Sequence, residues 1–339
     1  MLKRKNSIAA AIIVAAIAVA AILLTLNPRV IRFFKREVVI SIAGDVLLDR
    51  GVASAIEKNG AFYPYTGITM LFRDDDITIA NLECPLTNAT GGAMKQTQFV
   101  FKASPDNAGV LKTAGFDVLT LANNHTMDYL SAGLSETMTV LDNAGLFHAG
   151  AGNNATSVKP CFVDKNGVRI GILSYSSLPP EGFMFDENDA TIAYARADFS
   201  DDMCREISET AAQCDFLLVV FHWGTEYRHD VNDMQIELAH AAVDSGAAAV
   251  IGAHPHVLQG KEFYNGAPIY YSVGNFVFDK QIPEGTDEAL IIQLTVGKNG
   301  IVDVTELPVV IKSCQPQVAD DIKATEIIAN LTRYSRRFP

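Results

Sequence analysis

Basic residues are scarce over most of this chain, and the scarcity excludes whole classes of partner. The 339 residues contain 27 Lys and Arg against 39 Asp and Glu, and beyond residue 36 the balance is 20 to 39, a net charge of −19. A domain with this charge repels nucleic acid and does not adsorb to anionic lipid. We therefore expect no nucleic-acid partner. An anionic substrate would need bound cations or a local basic patch.

Cysteine is also sparse, and its spacing excludes a structural zinc site. The chain has no CxxC pair; its five cysteines are Cys84, Cys161, Cys204, Cys214 and Cys314. They are expected to be isolated small apolar residues, although the pattern leaves one disulfide open. After residue 36 the chain also lacks internal repeats, low-complexity segments and Pro/Ser-rich linkers. Residues 37–339 are therefore predicted to form one domain.

Charge is missing altogether from residues 8–26. A helix of these 19 residues would be about 28 Å long, which matches the hydrocarbon core of a bilayer. The run is longer than the core of a signal peptide, and no convincing small-x-small cleavage site separates it from the basic cluster that follows, so a retained anchor is favoured over a cleaved signal. Residues 1–36 are thus predicted to be an N-terminal membrane anchor with basic flanks. Three basic residues precede the run and four follow it, so charge counting does not fix its orientation.

Short apolar runs alternate with segments of helical periodicity in the remainder. Runs rich in β-branched residues and bounded by Gly, Asn or Asp are typical of strands. Strands are predicted at 37–44, 77–80, 116–121, 216–221, 247–251 and 268–273, with hairpins at 158–175 and 290–311. Helices are predicted at 108–114, 129–144, 202–212, 233–245 and 319–334. This alternation indicates a mixed α/β sandwich.

Residues of the types that bind metals follow five of the predicted strands. They are Asp45, Glu83, Asn124 with His125, His222, and His254 with His256. Each has another interpretation when taken alone, such as a helix cap, a solvated charge, a turn or a satisfied buried histidine. Their repeated position after apolar strands favours one shared site, because open α/β sheets place their chemistry at strand ends. Carboxylate, amide and imidazole together suit Mn, Fe or Zn better than Ca or Mg.

Six motifs occur in an order that resembles one known family. They are GD (44–45), NLE (81–83), LANNH (121–125), FHWG (221–224), GAHPHV (252–257) and YSVGNFVFD (271–279). Over about residues 38–280 the chain resembles the bacterial capsule-biosynthesis CapA family, which is linked to poly-γ-glutamate capsules and is similar to the calcineurin-like metallophosphoesterases. The resemblance implies a four-layer αββα sandwich of the metallophosphoesterase type in residues 37–339, preceded here by one N-terminal transmembrane helix.

The same resemblance implies a role for each matching residue. Asp45, Glu83, Asn124, His222, His254 and His256 match ligands of one or two divalent metal ions, with Glu83 as the bridging carboxylate. His125 matches the catalytic histidine that acts near the leaving group. The chain departs from the pattern at Leu47, where metallophosphoesterases usually have a further histidine. One metal position is therefore expected to be weaker.

Further residues beside these motifs are candidates for a substrate pocket. They are Trp223, Glu226, Asn275 and Asp279. A purely structural role is an open alternative for each. Asn275 and Asp279 lie in the last motif and are interpreted as pocket residues or as residues that support the metal ligands.

The function implied is that of a membrane-anchored, metal-dependent protein of poly-γ-glutamate capsule biosynthesis and export. Its domain would lie outside the cytoplasm, with the anionic polymer as substrate and other membrane subunits of a capsule synthase as partners. It would act as a metallophosphoesterase-like hydrolase or transferase, with a metal-bound water attacking a phosphoester or an amide while His125 protonates the leaving group. Two alternatives remain open: a non-catalytic accessory subunit that binds metal, and an envelope phosphoesterase unrelated to capsule.

Overall fold

Helices and strands alternate along the chain in this computed structural model. It describes residues 12–14, 17, 28–154, 158–182, 186, 188–195, 200–279 and 283–338. The helices with described ends are α1 (Pro28–Lys35), α2 (Arg50–Asn59), α3 (Thr69–Asp74), α4 (Asn107–Ala114), α5 (Leu130–Asn143), α6 (Ser200–Ala211), α7 (Asp233–Asp244) and α8 (Asp321–Tyr334). Short 3₁₀ helices occupy Tyr63–Tyr65, Thr97–Phe99 and Ser335–Arg337.

The strands form two large sheets and one small one. In chain order the strands are β1 (Val38–Val46), β2 (Ile77–Leu82), β3 (Val118–Thr120), β4 (Phe147–Ala149), β5 (Ala151–Gly152), β6 (Cys161–Lys165), β7 (Val168–Ser176), β8 (Thr191–Ile192), β9 (Phe216–His222), β10 (Ala249–Ala253), β11 (Lys261–Tyr264), β12 (Ala267–Tyr270), β13 (Asn275–Val277), β14 (Glu288–Gly297), β15 (Gly300–Lys312) and β16 (Gln315–Val318).

The first sheet has the order β16-β15-β14-β1-β2-β3-β4, with β13 paired to the end of β1. β1 to β4 are parallel, whereas β14, β15 and β16 are antiparallel. The second sheet has the order β11-β12-β10-β9-β7-β6, and its four central strands are parallel. β5 and β8 form a separate pair. Parallel strands put their carboxyl ends on one edge of each sheet, which is where such sheets place their sites.

Alternating side chains show how the layers stack. In β9, Phe216, Leu218 and Val220 belong to the apolar cluster between the two sheets, which also takes in side chains of β1, β2 and β14. The intervening residues of β9 pack with α6 and α7 on the other face. The outer face of the first sheet packs against α2 to α5. Each sheet is therefore buried on both faces, which is why its central strands are near-continuous apolar runs.

The segment between β12 and β13 passes very close to one glycine in each sheet. A Cβ on Gly44 would lie 1.8 Å from the carbonyl oxygen of Gly274. A Cβ on Gly252 would lie 2.0 Å from the Tyr271 carbonyl oxygen and 2.4 Å from Trp223 Nε1. Only glycine fits at either position. In β1 the register with β2 also shifts between Ile42 and Asp45, a bulge of the kind that redirects side chains beside functional sites.

The prediction of an α/β fold is confirmed, together with both hairpins, which are β6–β7 and β14–β15. The sequence did not indicate α2 or α3. In α2 only Val52 is buried, and α3 has six residues. Neither helix therefore contains several buried apolar residues at helical spacing.

The predicted membrane anchor needs correction. No helix in the described ranges is long and apolar enough to cross a membrane. α1 has eight residues, which span about 12 Å against a hydrocarbon core of about 30 Å. This finding contradicts the single-pass anchor at the cell membrane and the extracytoplasmic placement that depended on it. Of the predicted segment, residues 12–14 and 17 are described as helix, and the rest lies outside the described residues.

Candidate metal centre

Carboxylates and histidines from both sheets converge at the shared edge. Three groups each offer ligand atoms within 4.8 Å of one another: Asp45, Glu83 and His256; Glu83, His222 and His254; and Glu226, His254 and His256. Glu83 belongs to the first two groups. Glu83 is thus the carboxylate that these two groups share.

The carboxylates of Asp45 and Glu83 are buried and poorly solvated. Asn81 Nδ2 donates to one oxygen of Asp45 at 2.7 Å, and the His254 backbone N–H donates to the other at 3.2 Å. Burial raises the pKa of Asp45 to about 7, against the lowering effect of these two hydrogen bonds. Burial also raises the pKa of Glu83 well above its usual range, with a further rise from the nearby Asp45. Removing two charges from water in this way is costly unless a cation compensates.

Several of the candidate ligand atoms are buried and make no hydrogen bond within the described residues. Both carboxylate oxygens of Glu83 and Nδ1 of His254 are buried, and within the described part of the chain they have no hydrogen-bond partner. His222 Nε2 and His256 Nε2 lie 3.7 and 3.8 Å from Glu83 Oε1. Buried polar atoms are normally satisfied, so these three require an explanation. A carboxylate with three imidazoles fits a borderline divalent ion.

The histidines are held in the form that binds metals. Burial lowers the pKa of His256 to about 4, and burial with the neighbouring histidines lowers the pKa values of His222 and His254 well below 6.5. Neutral imidazole is the ligand form. Nδ1–H of His256 donates to Asn275 Oδ1 at 2.9 Å, and this bond fixes the ring. His222 Nε2 lies 2.8 Å from Asn124 Oδ1, so two atoms of ligand type face each other.

The backbone is strained where it carries the last two histidines. His254 has φ 96° and His256 has φ 59°, on either side of Pro255. Non-glycine residues avoid this region, and each such position costs on the order of 1–3 kcal/mol. The surrounding packing therefore holds these two side chains against their local preference.

His125 lies beside the cluster in a network of its own. Its Nδ1 is 3.0 Å from Asp128 Oδ2 and 3.4 Å from Lys95 Nζ. Lys95 also pairs with Asp128 Oδ1 at 2.5 Å. The Phe101 ring packs against the imidazole with 4.5 Å between ring centroids. This arrangement fixes the orientation of the imidazole and is suited to a group that moves a proton.

Two asparagines connect the ligand cluster to His125, and the sequence did not single them out as site residues. Asn81 donates to Asp45 and lies 3.3 Å from His222 Nδ1. Asn123 Nδ2 donates to Asn81 Oδ1 at 3.0 Å, and its own amide oxygen accepts from the His125 backbone N–H at 3.0 Å. Both lie inside motifs noted above, NLE and LANNH, which was the available signal. Lys95 lies in no motif.

The predicted pocket residues divide into several environments. Trp223 is fully buried, stacks on Phe221 and donates its indole N–H to Tyr271 O at 2.8 Å, so its contacts lie in the core. Asn275 is buried and orients His256. Glu226 is exposed and close to His254 and His256. Asp279 forms an ion pair with Arg50 at 2.5 Å.

Leu47 packs away from the cluster of ligands. Its side chain is fully buried in the apolar cluster between the first sheet and α2 to α5. This side chain supplies no ligand, and the surrounding apolar contacts explain why a leucine is stable there. All five cysteines, each at a described position, are free thiols.

The fold and the site together define an α/β protein with a candidate divalent-metal centre at the common edge of two sheets. The sequence matches the family described as bacterial capsule synthesis protein PGA_cap over residues 39–280. The chain is 34% identical over 299 residues to the PGA biosynthesis protein CapA of Bacillus subtilis (strain 168), covering 87% of this chain and 78% of that protein. It is 29% identical to the capsule biosynthesis protein CapA of Bacillus anthracis, covering 86% of this chain and 72% of that protein.

The chain therefore belongs to the bacterial capsule-synthesis CapA family, as the order of its six motifs predicted. Among solved structures it is similar to a 5′-nucleotidase from Candida albicans SC5314, with a TM-score of 0.45 and 11% sequence identity. That alignment covers 87% of this chain and 57% of the nucleotidase. A similarity at this level carries no information about activity.

Proposed function

We propose that this protein takes part in poly-γ-glutamate capsule biosynthesis and acts on the polymer through a divalent cation. Family membership and the names of the Bacillus relatives support the role in the capsule. The observation that carries the metal dependence is Glu83, whose two buried oxygens have no hydrogen-bond partner in the described residues while imidazoles lie within 3.8 Å. We assign residues 37–339 to one four-layer domain of the metallophosphoesterase type.

The ligands fall into two overlapping sets. Asp45, Glu83 and His256 would hold one ion, and Glu83, His222 and His254 with Asn124 Oδ1 would hold the other. A divalent ion bound there would lower the pKa of a water molecule and polarise an amide or phosphoester bond. Mn, Fe or Zn suits the mixture of oxygen and nitrogen ligands.

His125 is the residue that we assign to proton transfer. Because the Asp128 carboxylate oxygen accepts at 3.0 Å, Nδ1 of His125 carries its proton on that side. Nε2 is then the atom that exchanges a proton with the leaving group. Lys95 pairs with Asp128, and Phe101 packs on the ring, so the orientation of His125 does not depend on substrate.

The proposal is tested with purified protein that is stripped with chelator and reloaded with Mn²⁺. Poly-γ-glutamate is the substrate, its chain length is followed by gel electrophoresis, and an aryl phosphodiester is assayed in parallel. We expect a metal-dependent change in polymer length with the wild type and none with Glu83→Gln. Turnover of the aryl phosphodiester with an unchanged polymer would contradict the role in the capsule. Inactivity on both substrates would contradict catalysis.

A further inference from the structure

Arg50 occupies an unusual position at the start of α2. Its guanidinium carbon is 5.0 Å from the centroid of the Phe101 ring and 5.2 Å from that of the Phe278 ring. A guanidinium between two aromatic rings is stabilised by cation–π attraction and loses little further freedom when it binds a ligand. The group is therefore preorganised.

The same two rings connect Arg50 to the candidate centre. Phe101 packs against His125 with 4.5 Å between centroids, and Phe278 packs against His256 with 5.1 Å between centroids. The Phe101 ring therefore lies between Arg50 and His125, and the Phe278 ring lies between Arg50 and His256. A substrate reacting between these histidines would pass close to the guanidinium.

Arg50 has hydrogen-bonding capacity that the fold does not use. Nη2 bonds to Asp279 Oδ1 at 2.5 Å, whereas Nε has no hydrogen-bond partner among the residues described. Nε is itself buried, but the side chain as a whole is 31% exposed, so a ligand reaches the outer part of the guanidinium. A guanidinium offers five N–H donors in a fork that matches carboxylate and phosphate oxygens.

The backbone at Arg50 is held at a cost. Its φ is 52°, in the left-handed region, although it is neither Gly nor Asn. Gly51 packs so closely on Asp279 that a Cβ there would lie 2.6 Å from the Asp279 Cβ, and its N–H donates to Asp279 Oδ2 at 3.3 Å. Strained positions that the surroundings hold in place are typical of functional sites.

We propose that Arg50 binds an anionic oxygen group of the substrate beside the metal centre, either a carboxylate of the γ-linked polymer or a phosphate. The inference deepens the proposed function and rests on it. A binding arginine also explains how a polyanion could approach residues 37–339, whose net charge of −19 otherwise repels it. Lys95 is a poor candidate for this role, since its side chain is 6% exposed and pairs with Asp128.

The test compares variants by isothermal titration of the full chain, with and without Mn²⁺. The two probes are an oligomer of γ-linked glutamate and inorganic phosphate. Arg50→Asn removes the guanidinium and tolerates the positive φ, and Arg50→Lys keeps the charge without the fork. Arg205→Asn is the matched control, because Arg205 pairs with Asp202 at 2.7 Å on the exposed face of α6. Thermal melting checks that each variant folds.

We expect Arg50→Asn to weaken binding of at least one probe by about 10- to 100-fold, the loss typical of a charge-assisted pair. Arg50→Lys should recover part of the loss and Arg205→Asn should change nothing. Asp279→Asn should tighten binding by about 2- to 10-fold, because it frees the guanidinium from a competing carboxylate. A purely structural arginine would not give this gain.

The two probes distinguish the ligands. An Arg50-dependent loss with the oligomer identifies the polymer carboxylate, and the same loss with phosphate alone identifies a phosphate. Equal affinity of the wild type and Arg50→Asn for both probes overturns the inference, as does a wild type that binds neither. Metal content is measured on the same samples. A metal-free wild type would overturn the proposed function while leaving the Arg50 comparison readable.

Discussion

Two groups of side chains meet at the edge of the sheets. One is His125 with its neighbours, and the other is the cluster of Glu83 with His222, His254 and His256. His125 has a full set of neighbours, with Asp128 at 3.0 Å, Lys95 at 3.4 Å and the Phe101 ring against its face. In the other group, Glu83 and His254 have buried atoms that find no hydrogen-bond partner in the described chain. The side chain of His125 is therefore held by protein groups, whereas the buried atoms of Glu83 and His254 are left for the cation that we propose. This difference supports the two roles that we propose, proton transfer for His125 and metal binding for Glu83 and His254.

Glu83→Gln tests the incomplete group and should have the largest effect. The amide removes the negative charge shared by both ligand sets, so we expect loss of bound metal and of all metal-dependent activity. The metal-free variant should unfold at a higher temperature than the metal-free wild type, because an uncompensated buried charge is gone. Chelated and reloaded samples compared by differential scanning calorimetry give the answer. A variant that is still stabilised by metal would refute the bridging role.

His125→Ala tests the complete group. Activity should fall by about 10²- to 10⁴-fold, the usual contribution of a positioned acid or base. The mid-point of a Mn²⁺ titration should stay close to that of the wild type, because His125 belongs to none of the ligand groups found in the described residues. A parallel loss of metal affinity would remove the distinction between the two groups.

Asn275→Ala tests how much the metal affinity of the second group depends on the hydrogen bond that orients His256. Asn275 Oδ1 accepts from His256 Nδ1 at 2.9 Å and so sets which nitrogen of the ring faces the cluster. Loss of such a support costs about 10- to 100-fold in metal affinity in other centres. Competition with a fluorescent chelator measures this loss. An unchanged affinity would mean that backbone geometry alone orients His256.

Asp75 provides a carboxylate for comparison, since it belongs to none of the ligand groups in the described residues. Burial raises its pKa to about 6, from 3.8. Its contribution to stability is therefore present below about pH 4 and is lost as the pH rises through about 6. Asp75→Asn should abolish that loss and raise the unfolding free energy at pH 8 by about 2 kcal/mol, with or without metal. Urea denaturation at pH 4 and pH 8 measures it, and an effect that depended on metal would contradict the comparison.

The sequence was most informative where short apolar strands end in residues with distinctive chemistry. Asp45, Glu83, His222 and His254 lie at or just after the ends of such strands, and parallel pairing brings them to one edge. Motif order supplied the family. These features are local in the chain, so patterns of a few residues can reveal them.

What the sequence missed depends on contacts between distant segments. Asn81 in β2 contacts both Asp45 in the neighbouring strand β1 and His222 in β9 of the other sheet. These three residues are far apart in the chain. Lys95 reaches His125 from a loop with no periodicity. Trp223 was assigned to a pocket because it follows His222, yet successive strand residues point to opposite faces, so it packs in the core.

Metal content tests the candidate centre most directly, measured by elemental analysis of the purified wild type, His254→Ala and His125→Ala after loading and gel filtration. We predict about one to two equivalents of Mn, Fe or Zn per chain in the wild type and in His125→Ala, because the ligand set of a dinuclear centre is intact in both. His254→Ala should hold less, because it loses an imidazole from two of the three ligand groups. A metal-free wild type, or equal metal in all three proteins, would contradict the claim that this edge of the sheets is a metal centre.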